Sequence, residues 1–292
     1  MDAKRALVVL DKPKHKQTAL DRALDLQPRL DLTLELAAFC WQSAVASEQL
    51  FSAEERRLVK QSMLLDRKAW QRSLVDDSGL RGVRMHTAWT DDIPSWLSRR
   101  LAKAPVDLVV KSVQPRARRV ETPLDWQLLR VCPAPLLLAA PNRRKPAGRV
   151  LAAVDLRHND RTHQRLNRRV LAAANTFAQA YGAELHCVYA LEISEVLRDL
   201  DLVDERAARK RMLASAQAGL DALLAPYDVK KRNRHFPVGK VGHAVAQTAA
   251  KLKADLLVVG SYAHRVRQMV GLGNSAERIL TRASTDVLAV HP

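Results

Sequence analysis

The sequence repeats one strand pattern about halfway along its length, and this repeat limits the possible folds more than any other feature. Arg5–Asp11 is an apolar run that ends in an aspartate, and Arg149–Asp155 repeats it. Asp107–Ser112 is a second apolar run, and Asp255–Ser261 repeats that one. Apolar runs of leucine and β-branched residues are typical of parallel strands buried on both faces. The repeat therefore predicts two similar domains, each built on a parallel sheet.

Segments with apolar residues at helical spacing lie between the predicted strands. The longest one in the first copy begins at Ser52, where Ser52 and Glu55 form a capping box, and it runs to Val75. The other predicted helices are Thr18–Leu30, Pro94–Ala102, Thr162–Tyr181, Val203–Leu224 and His243–Leu252. The remaining predicted strands are Leu32–Phe39, Val83–Trp89, Pro135–Ala140, Glu184–Tyr189 and one near His235. Strands that alternate with helices predict two tandem doubly wound, Rossmann-like α/β domains with parallel sheets.

The two copies are separated by a segment that resembles a linker. Pro141–Gly148 is polar and contains proline and glycine, which interrupt regular structure. A chain of 292 residues is long enough to bury two ordinary cores. We therefore expect an N-terminal domain at 1–145 and a C-terminal domain at 146–292.

Charge and hydropathy exclude several classes of protein. The formal net charge of +17 favours acidic partners, but the basic residues are scattered along helices with few aromatic residues among them. Nucleic-acid binding is therefore not expected, because single-stranded sites combine basic grooves with aromatic stacking platforms. Met1–Arg5 leads directly into the first strand, and no apolar run has the length of a membrane span. We expect a cytoplasmic protein without a signal peptide.

The sequence also lacks the motifs that would indicate hydrolysis or a metal centre. GxSxG and HExxH are both absent. Cys40, Cys132 and Cys187 show neither CxxC spacing nor histidines at ligand spacing. We expect buried, reduced thiols, no metal site and no catalytic residue.

Glycines and polar residues after the second copy of the second strand suggest a place for an anion. Leu256–Val259 has the composition of a buried strand, and Gly260 allows a tight turn after it. Gly273, Asn274 and Ser275 then open the last predicted helix. The first N–H groups of a helix have no partner within it and therefore suit a phosphate. The sequence predicts a nucleotide-phosphate site here.

These features resemble the universal stress protein family. The similarity rests on the strand and helix order, on the aspartate that closes the first strand and on the stretch from Gly260 to Ser275, and it covers essentially the whole chain. The tandem copies are similar to the two-domain members, which implies a pseudo-dimer of the two domains. Ligand-binding members carry glycine, two residues, glycine, nine residues, glycine, then serine or threonine. That pattern falls here on Gly260, Ala263, Gly273 and Asn274, so two of its four positions differ.

The resemblance implies an adenine nucleotide, such as ATP, ADP or AMP, in the C-terminal domain, and it leaves Mg²⁺ open. The adenine would lie near Asp155 and the backbone of Val188. The other candidate residues would face the phosphates: Gly260, Ser261, Ala263, His264, Gly273, Asn274 and Ser275. Asp11 matches Asp155, but Lys111 and the residue after it are not glycines, so the N-terminal domain is expected to be degenerate.

The resemblance further implies a sensor or regulator of the stress response, and pairing of two chains through the last strand, Thr285–Val290. Two alternatives remain. Ala263, Asn274 and a group of apolar residues favour a nucleotide-free protein that holds an anionic or amphipathic, lipid-like metabolite in an apolar cavity. The residues that could line this cavity are Leu197, Leu200, Leu202, Met212 and Leu213. A weak ATPase is the third hypothesis, but no residue stands out as a base for water. Asp155 also has a simpler interpretation, as a cap for the loop that follows its strand.

Overall fold

The computed structural model describes residues 4–46, 49–113, 124–141, 148–158, 160–192, 204–261 and 285–292. The chain divides into two compact units, Met1–Ala139 and Ala140–Pro292, and each is described by itself. The division falls at the end of the last strand of the first copy, a few residues before the predicted linker. The domain limits 1–145 and 146–292 stay a prediction.

The first unit is a parallel sheet with helices packed against it. Its strands are β1 (Lys4–Val9), β2 (Leu32–Cys40), β3 (Arg84–Trp89), β4 (Leu108–Ser112) and β5 (Leu136–Ala139). Its helices are α1 (Thr18–Leu30), α2 (Ser43–Ala46), α3 (Ala53–Asp77), α4 (Ile93–Lys103) and α5 (Leu124–Val131). The strand order is β3-β2-β1-β4-β5, with parallel neighbours throughout. The chain builds outward from β1 to β3 and then returns to the other side of β1, so the order switches between β1 and β4.

The second unit repeats this plan. Its strands are β6 (Arg149–Ala153), β7 (Glu184–Val188), β8 (Arg234–His235), β9 (Leu256–Gly260) and β10 (Asp286–Val290). Its helices are α6 (Arg161–Tyr181), α7 (Glu205–Leu224) and α8 (Val241–Leu252). The order is β10-β9-β6-β7-β8, again with parallel neighbours, so the switch lies between β6 and β9. The predicted fold class, tandem doubly wound α/β, is confirmed.

In each unit, one aspartate binds the backbone at the start of the first strand. The carboxylate of Asp107 accepts a hydrogen bond from the backbone N–H of Arg5 at 2.8 Å, and Asp255 accepts the matching bond from Arg149 at 3.0 Å. Because these bonds join equivalent strands at equivalent ends, the two units can be compared residue by residue. Counted from these positions, the aspartate at 11 matches the one at 155.

Helix α6 shows why the sequence folds as it does beside the second sheet. Asp160 caps its first turn by accepting from the N–H groups of Thr162 and His163. Gly182 ends it in the left-handed conformation, at φ 60°, where a residue without a side chain avoids strain. Leu166 and Val170 lie on its buried face. This face places α6 directly against the strands on both sides of the switch point.

The two long helices lie where the sequence placed them. The capping box of α3 is confirmed: the Ser52 hydroxyl accepts from the N–H of Glu55 at 3.3 Å, and the Glu55 carboxylate accepts from the N–H of Ser52 at 2.8 Å. Gln71 is the buried residue of α3, and its amide donates to the carbonyl of Leu36 at 2.9 Å. No helix in the described ranges is long and apolar enough to cross a membrane.

Candidate functional site

The carboxyl end of β6 carries the first candidate residue, Asp155, beside the switch point of the second unit. The N–H of Asp155 donates to Oδ1 of Asn167 at 3.0 Å, and Nδ2 of Asn167 donates back to the carbonyl of Asp155 at 2.7 Å. Asn167 is buried on α6. A reciprocal pair of bonds to a buried amide fixes the backbone at this point, so Asp155 has a defined position at the mouth of the sheet.

The side chain of Asp155 is engaged by Arg157, two residues further along the chain. Nε of Arg157 donates to Oδ1 at 3.0 Å, Nη2 donates to Oδ2 at 2.7 Å, and the N–H of Arg157 donates to Oδ1 at 3.0 Å. Burial acts to raise the pKa of Asp155, but the hydrogen bonds and charge of Arg157 outweigh it and hold this pKa below its usual value. The carboxylate is therefore ionised at neutral pH.

Arg157 also reaches the next strand end. Its Nη1 donates to Oε2 of Glu192 at 2.8 Å, and Glu192 lies a few residues after the end of β7. Guanidinium groups match carboxylates through two parallel bonds, which is the arrangement on Asp155. Sequence reasoning named neither Arg157 nor Glu192. An aspartate two residues before the arginine is a known turn signal and could have predicted the backbone bond, but not the contact with Glu192.

Val188 is the last residue of β7, beside the end of β6. It is fully buried, and its carbonyl accepts from the N–H of Val154 at 3.0 Å. Tyr189 follows it and is also buried. Burial, followed by the charge of Asp155, raises the pKa of Tyr189. The structure thus brings together the predicted adenine-side residues.

Gly260 ends β9, across the switch point from β6. A Cβ built on it would lie 2.6 Å from Cδ2 of Leu166 on α6, closer than real Cβ atoms approach a neighbour. The close packing of α6 on β9 therefore favours glycine here, because any side chain would have to displace Leu166, whether or not a phosphate approaches the backbone.

Ser261 is buried directly after β9. Its N–H donates to the carbonyl of Val290 at 2.8 Å, and its own carbonyl is 2.9 Å from Nδ1 of His291. These bonds hold the backbone of Ser261 at the sheet edge. Burial, more than any other influence, lowers the pKa of His291.

The other predicted phosphate residues lie outside the described residues, namely Ala263, His264, Gly273, Asn274 and Ser275. The same holds for Leu197, Leu200 and Leu202 of the predicted apolar cavity, while Met212 and Leu213 lie on α7, where both are half-buried. The part of the site that the structure describes is the adenine side, with Gly260 and Ser261 at its border.

The matching position in the first unit is occupied by the protein itself. Nζ of Lys111, on β4, donates to Oδ1 of Asp11 at 2.9 Å, and the hydroxyl of Ser112 donates to Oδ2. The Ser112 oxygen also accepts from the N–H of Ala19, at the start of α1, at 2.8 Å. The Lys111 side chain is only 3% exposed. A buried ion pair therefore spans the switch point between β1 and β4.

Among the described residues, the second unit has no such pair at the same place. Counted along the strands, Lys111 matches Val259 and Ser112 matches Gly260. Neither of these can offer a polar side chain to Asp155. Strand β9 therefore does not supply the cation that β4 supplies in the first unit.

A second polar pair recurs in both units on the neighbouring strands. In the first, Nε2 of His86 on β3 lies 2.9 Å from Oε2 of Glu35 on β2, and Arg100 of α4 also donates to this carboxylate. Burial acts to raise the pKa of Glu35, but the bonds from His86 and Arg100 outweigh it and lower the pKa. The registers β2–β3 and β7–β8 match these residues with two histidines of the second unit.

Those two histidines, His186 and His235, are 3.1 Å apart between Nδ1 and Nε2. Burial lowers the pKa of both rings, so both are neutral near pH 7. Nε2 of His186 has no hydrogen-bond partner within the described part of the chain. The carboxylate of Glu184 lies 3.7 Å from this nitrogen, beyond hydrogen-bond distance.

The thiols are buried in both units, at Cys40, Cys132 and Cys187. Burial raises the pKa of Cys132 and that of Cys187 to about 12, so neither is a thiolate at neutral pH. Over the described ranges, no cluster of three or more His, Cys, Asp or Glu residues has the arrangement of a metal site.

The described features define the class of this protein. Two doubly wound α/β units follow one another, each with an aspartate at the carboxyl end of its first strand, the edge at which such sheets bind ligands. A model of the universal stress protein family matches residues 147–291. Universal stress protein A homolog 1 of Coxiella burnetii is 31% identical over 143 residues, which cover 94% of that protein and 48% of this chain. The chain belongs to the universal stress protein family.

Similarity also extends over both units. Universal stress protein E of Salmonella typhi is 24% identical over 295 residues, covering 98% of this chain and 93% of that protein. A solved structure of a functionally unknown protein from Pseudomonas aeruginosa PAO1 is similar in fold, with a TM-score of 0.71 and 23% identity, covering 100% of this chain and 93% of that one. Family membership supports a role in the stress response.

Proposed function

We propose that the protein is a sensor or regulator of the stress response that binds an adenine nucleotide in its second unit. In this proposal, residues 1–145 form a degenerate domain and 146–292 form the ligand-binding domain. The observation that carries it is the contrast between the two switch points. One is filled by Lys111 and Ser112, while the matching residues of the other, Val259 and Gly260, carry no polar side chain.

The charge at the second switch point suits a purine base. Asp155 is ionised at neutral pH, so it can only accept hydrogen bonds. An adenine offers its exocyclic amino group as a donor, and the backbone around Val188 lies on the same side of the crevice. The phosphates would then extend across the switch point toward β9, where Gly260 and Ser261 begin the phosphate side of the proposed site.

Calorimetric titration with ATP, ADP and AMP tests the proposal. We expect one nucleotide per chain for the parent protein and a loss of affinity of at least tenfold, or about 1.4 kcal/mol, for Asp155→Ala. Asp11→Asn is the matched control, because it changes the equivalent carboxylate of the filled crevice, and it should leave the stoichiometry and affinity unchanged. Absence of binding by the parent at millimolar nucleotide would rule out the proposal.

A nucleotide-free binding protein is the second candidate. It is favoured by Ala263 and Asn274, which replace two residues of the pattern carried by ligand-binding members of the family. Native mass spectrometry of protein taken directly from cells distinguishes the two candidates. A retained mass that matches an amphipathic metabolite and no nucleotide would favour this second function.

Pairing of two chains through the last strand also remains a proposal. Sedimentation of the purified protein over a range of concentrations tests it, with and without a charged residue introduced into β10.

A further inference from the structure

Arg157 is placed so that it covers the one carboxylate on which the proposed base recognition depends. It follows the end of β6, donates through Nε and Nη2 to Asp155, and donates through Nη1 to Glu192 after β7. The guanidinium therefore bridges the ends of two neighbouring strands. A base that approached Asp155 from the crevice would have to replace these donors.

The exposure of this ion pair distinguishes it from the pair in the first unit. The side chains of Arg157 and Asp155 are 32% and 34% exposed, whereas those of Lys111 and Asp11 are 3% and 12% exposed. A part-exposed pair separates at low cost, because water solvates both groups when they part. A buried pair does not, since separation leaves a charge without water or partner. The ion pair of Asp155 with Arg157 is therefore easier to separate than the ion pair of Asp11 with Lys111.

The contact network of Arg157 is specific to the second unit. Counted from the matched aspartates, Pro13 takes the place of Arg157 in the first unit, and Trp41 takes the place of Glu192. Neither can form an ion pair. Within the described ranges, Arg157 and its partner Glu192 thus belong to the unit in which β9 supplies no cation to the aspartate.

We propose that Arg157 is a displaceable latch on Asp155, which holds the carboxylate while the site is empty and yields it to a ligand that brings its own donors. This inference rests on the proposed nucleotide site and deepens it, because it names the residue that sets affinity and selectivity there. A ligand with an amino group facing Asp155 replaces the bonds that it breaks. A ligand with a carbonyl at that position does not, so adenosine should bind better than inosine.

Calorimetric titration with adenosine tests the latch, since this probe carries no phosphate that Arg157 could attract. Arg157→Gln should bind adenosine about two- to fivefold more tightly than the parent, which corresponds to the free energy of a part-exposed ion pair. Glu192→Gln removes one anchor of Arg157 and should shift the affinity in the same direction by less. Arg232→Gln is the matched control: it makes the same change of charge and breaks a bridge to Glu184 at the opposite end of β7, so the affinity should stay at the parent value.

The outcomes separate the latch from the nucleotide site itself. If parent and Arg157→Gln bind adenosine equally, or the variant binds more weakly, the latch is wrong and the nucleotide site stands. If only Arg157→Gln binds, the latch is supported in its strongest form. If neither the parent nor any of the three variants binds adenosine or ATP, the proposed nucleotide site is wrong, and the latch proposal is wrong as well. Unchanged thermal midpoints of the variants would show that each has folded.

Discussion

At the scale of single residues, the chain places two cations on two matched aspartates by different means. Lys111 comes from within a strand and meets Asp11 in a buried contact, while Arg157 comes from a loop and meets Asp155 at the surface. The positions of these cations, more than their charge, decide what the aspartates can do. A strand residue cannot move away without disturbing the sheet, whereas a loop residue can.

The buried pair gives a prediction of stability. Lys111→Met keeps the aliphatic stem but removes the charge, and it should lower the free energy of unfolding of the first unit by about 3 kcal/mol, because Asp11 loses its counter-charge in a buried place. Arg29→Met, which breaks a surface bridge to Asp25 within α1, should cost less than about 1 kcal/mol. Urea denaturation measures both. Equal losses in the two variants would contradict the assignment of Lys111 as a buried structural cation.

At the scale of strands and helices, several features could be predicted because they are local. The capping box of α3 depends on residues three apart in sequence, and the buried strands depend on their own composition. The site contacts could not be predicted in this way. Lys111 and Asp11 are 100 residues apart, and Arg157 and Glu192 are 35 apart, so their contacts depend on which strands are neighbours and in which register. The sequence alone also could not show that Gly260 faces Leu166, since that depends on the position of α6 over β9.

The contact between α6 and β9 predicts the effect of a methyl group at Gly260. Gly260→Ala should lower the stability of the ligand-free protein by about 1–3 kcal/mol, because the new atom meets Leu166. Leu166→Ala should cost about 2–5 kcal/mol through the cavity that it leaves. The double variant should lose clearly less than the sum of the two, since the methyl group then enters that cavity. Chemical denaturation of the four proteins completes the cycle, and strict additivity would show that the helix does not require the glycine.

The two buried histidines on β7 and β8 predict that the free energy of unfolding depends on pH. Burial lowers the pKa of His186 and of His235 in the folded protein, while the unfolded chain binds protons at the usual value of about 6.5. The unfolded state therefore gains protons first as the pH falls, and stability should decrease from about pH 7 to about pH 5. Glu184, Arg149 and Arg232 also act on His186 and remain charged throughout this range.

Unfolding of the parent and of His235→Gln by urea, at several pH values, measures this dependence. The variant cannot bind a proton at that position, so its stability should change less over the same range. The lowered pKa values of Glu35 and Asp155 act in the same direction, but mainly below about pH 5, which separates the two effects. Identical pH profiles for parent and variant would contradict the role of the pair.

At the scale of the whole molecule, the aromatic residues divide between the halves of the chain. All five tryptophans come before residue 140, and all four tyrosines come after it. Tryptophan emission therefore reports on the first unit alone, while tyrosine absorbance reports on the second. Tyr189 lies within electrostatic range of Asp155 and is well placed to sense a ligand there.

This division predicts how a nucleotide should change unfolding. At a concentration of about 100 times its Kd, a ligand that binds only the folded second unit stabilises it by about 2.7 kcal/mol. The transition followed by tyrosine should shift to higher denaturant, and the one followed by selectively excited tryptophan should shift less. Hydrogen exchange, read on peptides from β6 and β9 against those from β1 and β4, checks the same point. Protection confined to β1 and β4 would place the ligand in the first unit and contradict the proposed site.

The side chain of Lys111 occupies the switch point between β1 and β4 in the first unit. An amino group of the chain itself lies where β9 of the second unit places an apolar side chain, so in the proposed function the first unit does not compete for the nucleotide. A response to nucleotide would then arise in the second unit, and the first unit would serve as a constant reference within the same polypeptide.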